Sequence, residues 1–327
     1  MVHNKNNGAY DVTIKIKTCL IEKVSDDDLL SKLSHNLSLK CASVIVRSLS
    51  GTVVSFGESV SRFKPGDDVC AVVSIRNQFK ISEDICTINE SFVVSKPTKL
   101  SWQVSTACIT DGIKAYNALH YQAALKPNNS VLICNTASSY GVFCLQLACL
   151  FKCKVMCTVS CDNEEKLLKD ILKEKKVRIY PSHEYMKNAV LEESENVGVD
   201  VIVDCEGIAT TQKNATTAES FDCSKPTKHD IISCLGVSGK WITSSQDLEL
   251  TSHDSKMLCM KNASISYQFY DSIVVSMSKQ NKILHILSEV LQKAESSLLT
   301  PYLMDNISIE NFDDSTLQEK KSVIINY

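Results

Sequence analysis

Residues 131–149 read VLICNTASSYGVFCLQLAC. The apolar run before Asn135 is the length of a strand, and the run from Gly141 onward is long enough for a helix. Between them lies the polar turn Asn135-Thr136-Ala137-Ser138-Ser139-Tyr140-Gly141. A buried strand, a tight turn and a helix in that order open a dinucleotide-binding βαβ unit, in which the helix N-terminus favours a phosphate. Such a turn is normally dense in glycine. This one has a single glycine, at its end. Residues 131–151 carry no charge, as a membrane span would, but Asn135, Thr136, Ser138, Ser139 and Gln146 and the flanking strand and helix signals exclude a span.

Outward from this turn the chain keeps a βαβ rhythm. KVMCTVS (154–160) reads as a strand, NEEKLLKDILKEK (163–175) as a helix, and VRIYP (177–181) as a strand. A weak helix follows, then the strand VDVIVDC (199–205). HDIISCLGVSGKWITS (229–244) reads as strand, turn, strand, and 208–230 as a long polar loop. Alternation of this kind predicts a parallel sheet wrapped by helices. Residues 101–122 read as a helix with Ser101 at the N-cap.

The first third is strand-rich. YDVTIKIKTCLI (10–21) places Val12, Ile14 and Ile16 on one face. SVIVRSLSGTVVSFG (43–57) is two short strands or one bent at Gly51, and Pro65-Gly66 suits a type II turn. At the other end, 278–295 is an amphipathic helix with Ile283, Ile286, Leu287, Val290 and Leu291 on one face, and KKSVIINY (320–327) reads as a last strand.

Composition narrows the classes. A net charge of −3 over 327 residues gives no global field toward nucleic acid or an acidic membrane. There are 10 glycines, where average usage would supply about 23, so few places can bring backbone close to a ligand. No secretory signal opens the sequence, and the 15 cysteines are scattered, several within apolar runs. Reduced thiols in the cytoplasm are the expectation. Cys149, Cys153, Cys157 and Cys161 run from a helix end into a strand, a spacing that cannot close one tetrahedral site. No metal is expected.

Specific strings carry a resemblance. GTVVSFGESVSRFKPGDDVCAVV (51–73) resembles a GroES-like domain, and STACITDGIKAYNALHYQAALKPNNSVLI (105–133) and GVDVIVDCEG (198–207) resemble the zincless quinone oxidoreductase branch of the medium-chain dehydrogenase/reductases. The likeness implies an α/β protein: a GroES-like β-rich domain plus a Rossmann domain with a doubly wound parallel sheet. The expected division is 1–112 GroES-like, 113–265 Rossmann, and 266–327 returning to the first. The Gly-His-Glu stretch and four-cysteine lobe of the zinc branch do not occur.

In that branch the turn resembles Gly-x-x-Gly-Gly-Val-Gly. Here Asn135, Ser138 and Ser139 stand at glycine positions, Tyr140 at the valine, and Gly141 is kept. Asn135 tolerates left-handed backbone; each serine forced into it would cost about 1–2 kcal/mol. Ser160 and Lys166 would suit the 2′-phosphate of NADPH, because the strand before them lacks the acidic residue that holds the ribose of NAD. These seven residues are the expected cofactor site, with NADPH held weakly or lost. The resemblance also puts Lys114 where a threonine lies near the nicotinamide, and Glu22-Lys23-Val24-Ser25 where Asn-Pro-Val-Asp would stand. No catalytic residue can be named.

Two readings follow. One is a non-catalytic or weakly active subunit of a larger assembly. The resemblance implies a partner class for it: the five-subunit FERRY complex, an early-endosomal Rab effector that binds mRNA, with RNA met only indirectly by this chain. The other is a working NADPH-dependent quinone or enone reductase. Members of this branch often dimerise, so a homodimer is a further expectation.

Overall fold

The computed structural model describes residues 8–23, 44–77, 83–173, 176–180, 183–209, 225–302, 306–312 and 322–327. Val24, Ser25 and most of the expected 208–230 loop lie outside them. The chain divides into two compact units, Met1–Ile113 with Phe269–Tyr327, and Lys114–Gln268.

The first unit is built on β1 (Asp11–Lys23), β2 (Val44–Phe56), β3 (Asp68–Val72), β4 (Ile85–Asn89) and β5 (Val93–Ser95). The chain then enters α1 (Trp102–Tyr116), whose first turn is capped by Ser101: its Oγ accepts the Val104 amide at 3.2 Å. Val12, Ile14 and Ile16 of β1 all point into the core, as their alternation predicts. β2 is one continuous strand. Its register with β1 shifts between Ile16↔Gly51 and Thr18↔Ser50, leaving Lys17 as the extra residue of a bulge. Gly51 is required there, because a Cβ would collide with the Lys15 carbonyl. Gly66 has φ +94°, as a type II turn demands.

The second unit holds β6 (Ser130–Cys134), α2 (Ser139–Leu150), β7 (Lys154–Thr158), α3 (Asp162–Leu172), β8 (Val177–Tyr180), α4 (His183–Glu193) and β9 (Val199–Asp204). α5 (Lys228–Cys234), β10 (Leu235–Thr243), α6 (Ser252–Met260) and β11 (Ser264–Tyr267) complete it. All six strands are parallel, in the order β11-β10-β9-β6-β7-β8. The order reverses between β6 and β9, and ligands of such sheets lie outside the carboxyl ends of the strands at that point.

One sequence expectation fails here. HDIISC is the helix α5, not a strand. Thr227 caps it, its Oγ1 accepting the Asp230 amide at 3.2 Å. The Lys261 ammonium closes its other end, donating to the carbonyls of Ile232 and Ser233 at 2.8 Å each. Two isoleucines favour a strand locally, but satisfaction of both helix ends decides the matter.

The chain returns to the first unit through α7 (Tyr270–Val275), α8 (Gln280–Glu295), β12 (Asn306–Ser308) and β13 (Ser322–Asn326). The five apolar residues of α8 named above are all buried, and β13 pairs antiparallel with β1. The sheet of this unit runs β12-β13-β1-β2-β3-β5, with β4 also on β1. Inside it the Arg47 guanidinium donates through one nitrogen to both oxygens of Asp271, at 2.6 and 2.8 Å, and through Nε to Glu22. Its carbon also lies 5.6 Å from the centre of the Tyr270 ring. No described helix is long and apolar enough to cross a membrane.

Candidate functional site at the β6–α2 turn

The turn leaves β6 at the carboxyl edge of the sheet and is tied to the neighbouring strand. The Asn135 amide donates to Thr158 Oγ1 and the Thr136 amide to the Thr158 carbonyl, both at 3.1 Å. Thr136 Oγ1 bonds back to Ile133 O at 2.9 Å. Asn135 has φ +54°, so it takes the left-handed conformation that glycine would otherwise supply.

The serines do not. Ser138 sits at φ −79°, ψ 159°, the extended geometry of a helix N-cap, and Ser139 is the first helical residue. The strain that two left-handed serines would store is therefore absent. Instead Ser138 Oγ accepts the Gly141 amide at 3.1 Å and donates to the Asn135 carbonyl at 3.2 Å. The hydroxyl thus satisfies one of the amides that a helix start otherwise offers to an anion.

Gly141 is fixed by space. A Cβ there would lie 2.6 Å from Thr136 O, 2.8 Å from its Cα and 2.9 Å from its carbonyl carbon. Tyr140 turns into the core; burial, then the thiols of Cys144 and Cys205, push its phenol well above the ordinary range. Asn135 Oδ1 and Ser139 Oγ are sealed from solvent without a partner among the described residues.

Ser160 and Lys166 are both exposed. The Ser160 amide is already held by Glu164 Oε2 at 2.6 Å. Asp162, Glu164 and Glu165 make the first turn of α3 acidic. The strand end lacks a carboxylate in sequence, yet the fold brings one to it from the following helix.

Asp204, at the carboxyl end of β9, is a residue that sequence reasoning missed. It is fully buried. Its oxygens accept Trp241 Nε1–H at 2.6 Å and the Ser244 amide at 2.8 Å. Burial pushes its carboxyl up to about 6, against the opposing pull of the Ser244 amide, the Thr243 hydroxyl and the Trp241 N–H. The signal was present in VDVIVDC: an acid at the end of an otherwise apolar strand. A carboxyl raised on folding binds a proton more tightly in the folded state. Its contribution is full below the unfolded value near 4 and is lost as pH rises through about 6. We expect the urea midpoint to fall across that window by an amount equivalent to about 3 kcal/mol. Asp204→Asn should flatten the slope; an unchanged slope would assign it elsewhere.

Among the described residues no group of three or more His, Cys, Asp or Glu side chains could hold a metal ion. No family profile matches the chain. It is 29% identical to quinone oxidoreductase-like protein 1 of Mus musculus over 300 residues, covering 91% of this chain and 84% of that protein. An alcohol dehydrogenase superfamily protein from Novosphingobium aromaticivorans superposes with a TM-score of 0.78 at 16% identity, covering 100% of this chain and 94% of the other. Over most of its length the chain is similar to a quinone oxidoreductase-like protein, and it shares the fold of the alcohol dehydrogenase superfamily protein.

A quinone oxidoreductase from Pseudomonas syringae pv. Tomato DC3000 matches at a TM-score of 0.72 and 16% identity, again over 100% of this chain and 94% of that one. At such identities the structures speak for the fold. The β-rich first unit and the parallel-sheet second unit are both part of the fold shared with these structures. Asn135, Ser138, Ser139, Tyr140 and Gly141 come together in one turn, whereas Ser160 and Lys166 stand at the end of β7 and on α3.

Proposed function

We propose that the chain binds a nicotinamide dinucleotide weakly at the 135–141 turn and works chiefly as a non-catalytic or slowly turning subunit of a larger assembly. The observation that carries this reading is the Ser138 hydroxyl on the Gly141 amide. A pyrophosphate oxygen seeking that amide must displace a hydrogen bond already made, and the serine side chain lies where glycine would leave room. When bound, the cofactor would supply hydride chemistry; the chain's part is to orient it.

Ser138→Gly is the direct test. Glycine is nearly as good an N-cap as serine, within a few tenths of a kcal/mol, so the fold should hold. Affinity for NADPH, read by calorimetry, is expected to rise about tenfold, the worth of one freed charge-assisted hydrogen bond. An unchanged or lower affinity would remove the self-capping argument. NADPH oxidation by a quinone at an ordinary enzyme rate, about 10 per second, would overturn the non-catalytic part.

The second reading, an NADPH-dependent quinone or enone reductase that needs no zinc, is favoured by the unstrained turn and by the close seat of Gly141. On either reading Lys166 is the cation offered to a 2′-phosphate, with Glu164 and its neighbours opposing it.

The assembly in this proposal is the early-endosomal Rab-effector complex expected from the sequence, with the chain cytoplasmic and RNA contacts left to other subunits. Support is the likeness over most of the chain and the small net charge. Capture of the tagged chain by an early-endosome Rab GTPase loaded with a GTP analogue, only when the other subunits are present, is the expected result. A homodimer is proposed through β11, an edge strand whose surroundings expose Val237, Met260 and Tyr267. Sedimentation should give twice the chain mass.

A further inference from the structure

α1 does not end as an ordinary helix. It passes into a single π-helical turn, Asn117–Gln122, in which the Ala123 amide reaches back to Ala118 O at 2.8 Å. Such turns are rare and are often found at functional sites. This one lies against the carboxyl ends of β10 and β11, on the half of the sheet beyond the reversal at β6 and β9. Gln122 Nε2 donates to the carbonyl of Tyr267, the last residue of β11, at 2.9 Å. The Gln268 amide donates to the carbonyl of Thr243, the last residue of β10, at 2.8 Å.

A short relay fixes how the side chains there are turned. Gln268 Nε2 donates to Lys114 O at 3.1 Å, so Gln268 Oε1 must face the other way. Asn117 Nδ2 donates to that oxygen, also at 3.1 Å. The backbone carbonyl at the start of the relay thus sets both amide groups, and Asn117 Oδ1 is left at its end. Asn117 is 2% exposed, and this oxygen has no partner among the described residues. A buried amide oxygen without a donor is costly to the fold and is seldom left so without a reason.

We infer that Asn117 Oδ1 is the acceptor for the carboxamide NH2 of a nicotinamide ring. The inference rests on the reading that the 135–141 turn holds the diphosphate. A dinucleotide lies across the switch point of such a sheet, one mononucleotide on each half. With the diphosphate at the β6 turn and the adenosine toward β7, the nicotinamide faces the β10 and β11 ends. A primary carboxamide brings a neutral donor that matches an amide oxygen and needs no counter-charge. The oxygen is sealed from solvent.

The test compares three ligands by calorimetry: NAD+, its 3-acetylpyridine analogue, in which a methyl replaces the carboxamide NH2, and ADP-ribose, which lacks the ring. The unaltered chain should bind NAD+ about tenfold more tightly than the acetylpyridine analogue, the worth of one hydrogen bond to an otherwise unmet acceptor. In Asn117→Leu, which keeps the volume, the two should bind alike while ADP-ribose affinity stays as it was. Equal binding of NAD+ and the analogue by the unaltered chain overturns the inference without needing any variant to fold; a trapped water then fills the role. So does a loss in Asn117→Leu that ADP-ribose shares. If the unaltered chain binds ADP-ribose but does not distinguish the other two, only this inference fails. If it binds none of the three, the same comparison is made with NADP+, its 3-acetylpyridine analogue and 2′-phospho-ADP-ribose, which offer Lys166 a 2′-phosphate; if none of these binds either, the dinucleotide reading fails with the inference.

Discussion

Arg47→Met is expected to destabilise the chain by about 3–5 kcal/mol, the cost of leaving buried charge without its partner. Asp271 is 3% exposed and receives two of the three guanidinium bonds; Glu22, at the end of β1, receives the third. Methionine fills much of the arginine's volume but donates nothing, so the buried Asp271 carboxylate is left without its two guanidinium hydrogen bonds. The double variant Arg47→Met/Asp271→Leu should recover most of the loss, because removing both charges also removes the cost of desolvating them. Urea unfolding of the two singles and the double gives the coupling energy. A coupling below about 1 kcal/mol would mean that solvent reaches the pair and screens it.

Gly141→Ala should be nearly as damaging, by about 3 kcal/mol, and should abolish any dinucleotide binding. The added methyl would press on three backbone atoms of Thr136, all closer than 3.0 Å. Backbone cannot rotate away as a side chain can, so α2 must shift off the turn, at a cost in the upper range for overpacked sites. The Asn135 and Thr136 amides would lose their seat on Thr158 with it. Near-ultraviolet circular dichroism during thermal unfolding reads the loss. Ser138→Gly, three residues away, is the control that should leave stability almost unchanged. A Gly141→Ala protein as stable as the parent would show that the turn relaxes freely and that its tight seat is not what keeps glycine there.

Much of the architecture could be read from sequence because it rests on local pattern. Alternation in β1, the helical stripe of α8, Ser101 before α1 and the turn after β6 all state their conformation within a dozen residues. Where local preference and end satisfaction pulled apart, sequence reading erred. HDIISC looks extended from its isoleucines, but Thr227 and a lysine 27 residues after Cys234 close the helix ends.

The site divides the same way. The sequence alone determined that one glycine remains in the turn, that Asn135 could stand in for another, and that the likeness to quinone oxidoreductases runs through both parts of the chain. Only the tertiary structure decided that the serines are unstrained, that Ser138 spends its hydroxyl on the Gly141 amide, and that Glu164 reaches the Ser160 amide. It alone put Asp204 against Trp241, and Asn117 against Gln268, 151 residues away. Backbone angles and hydrogen bonds of that kind depend on which strand ends lie side by side. A linear pattern records what each residue can do, and the fold determines which partner it meets.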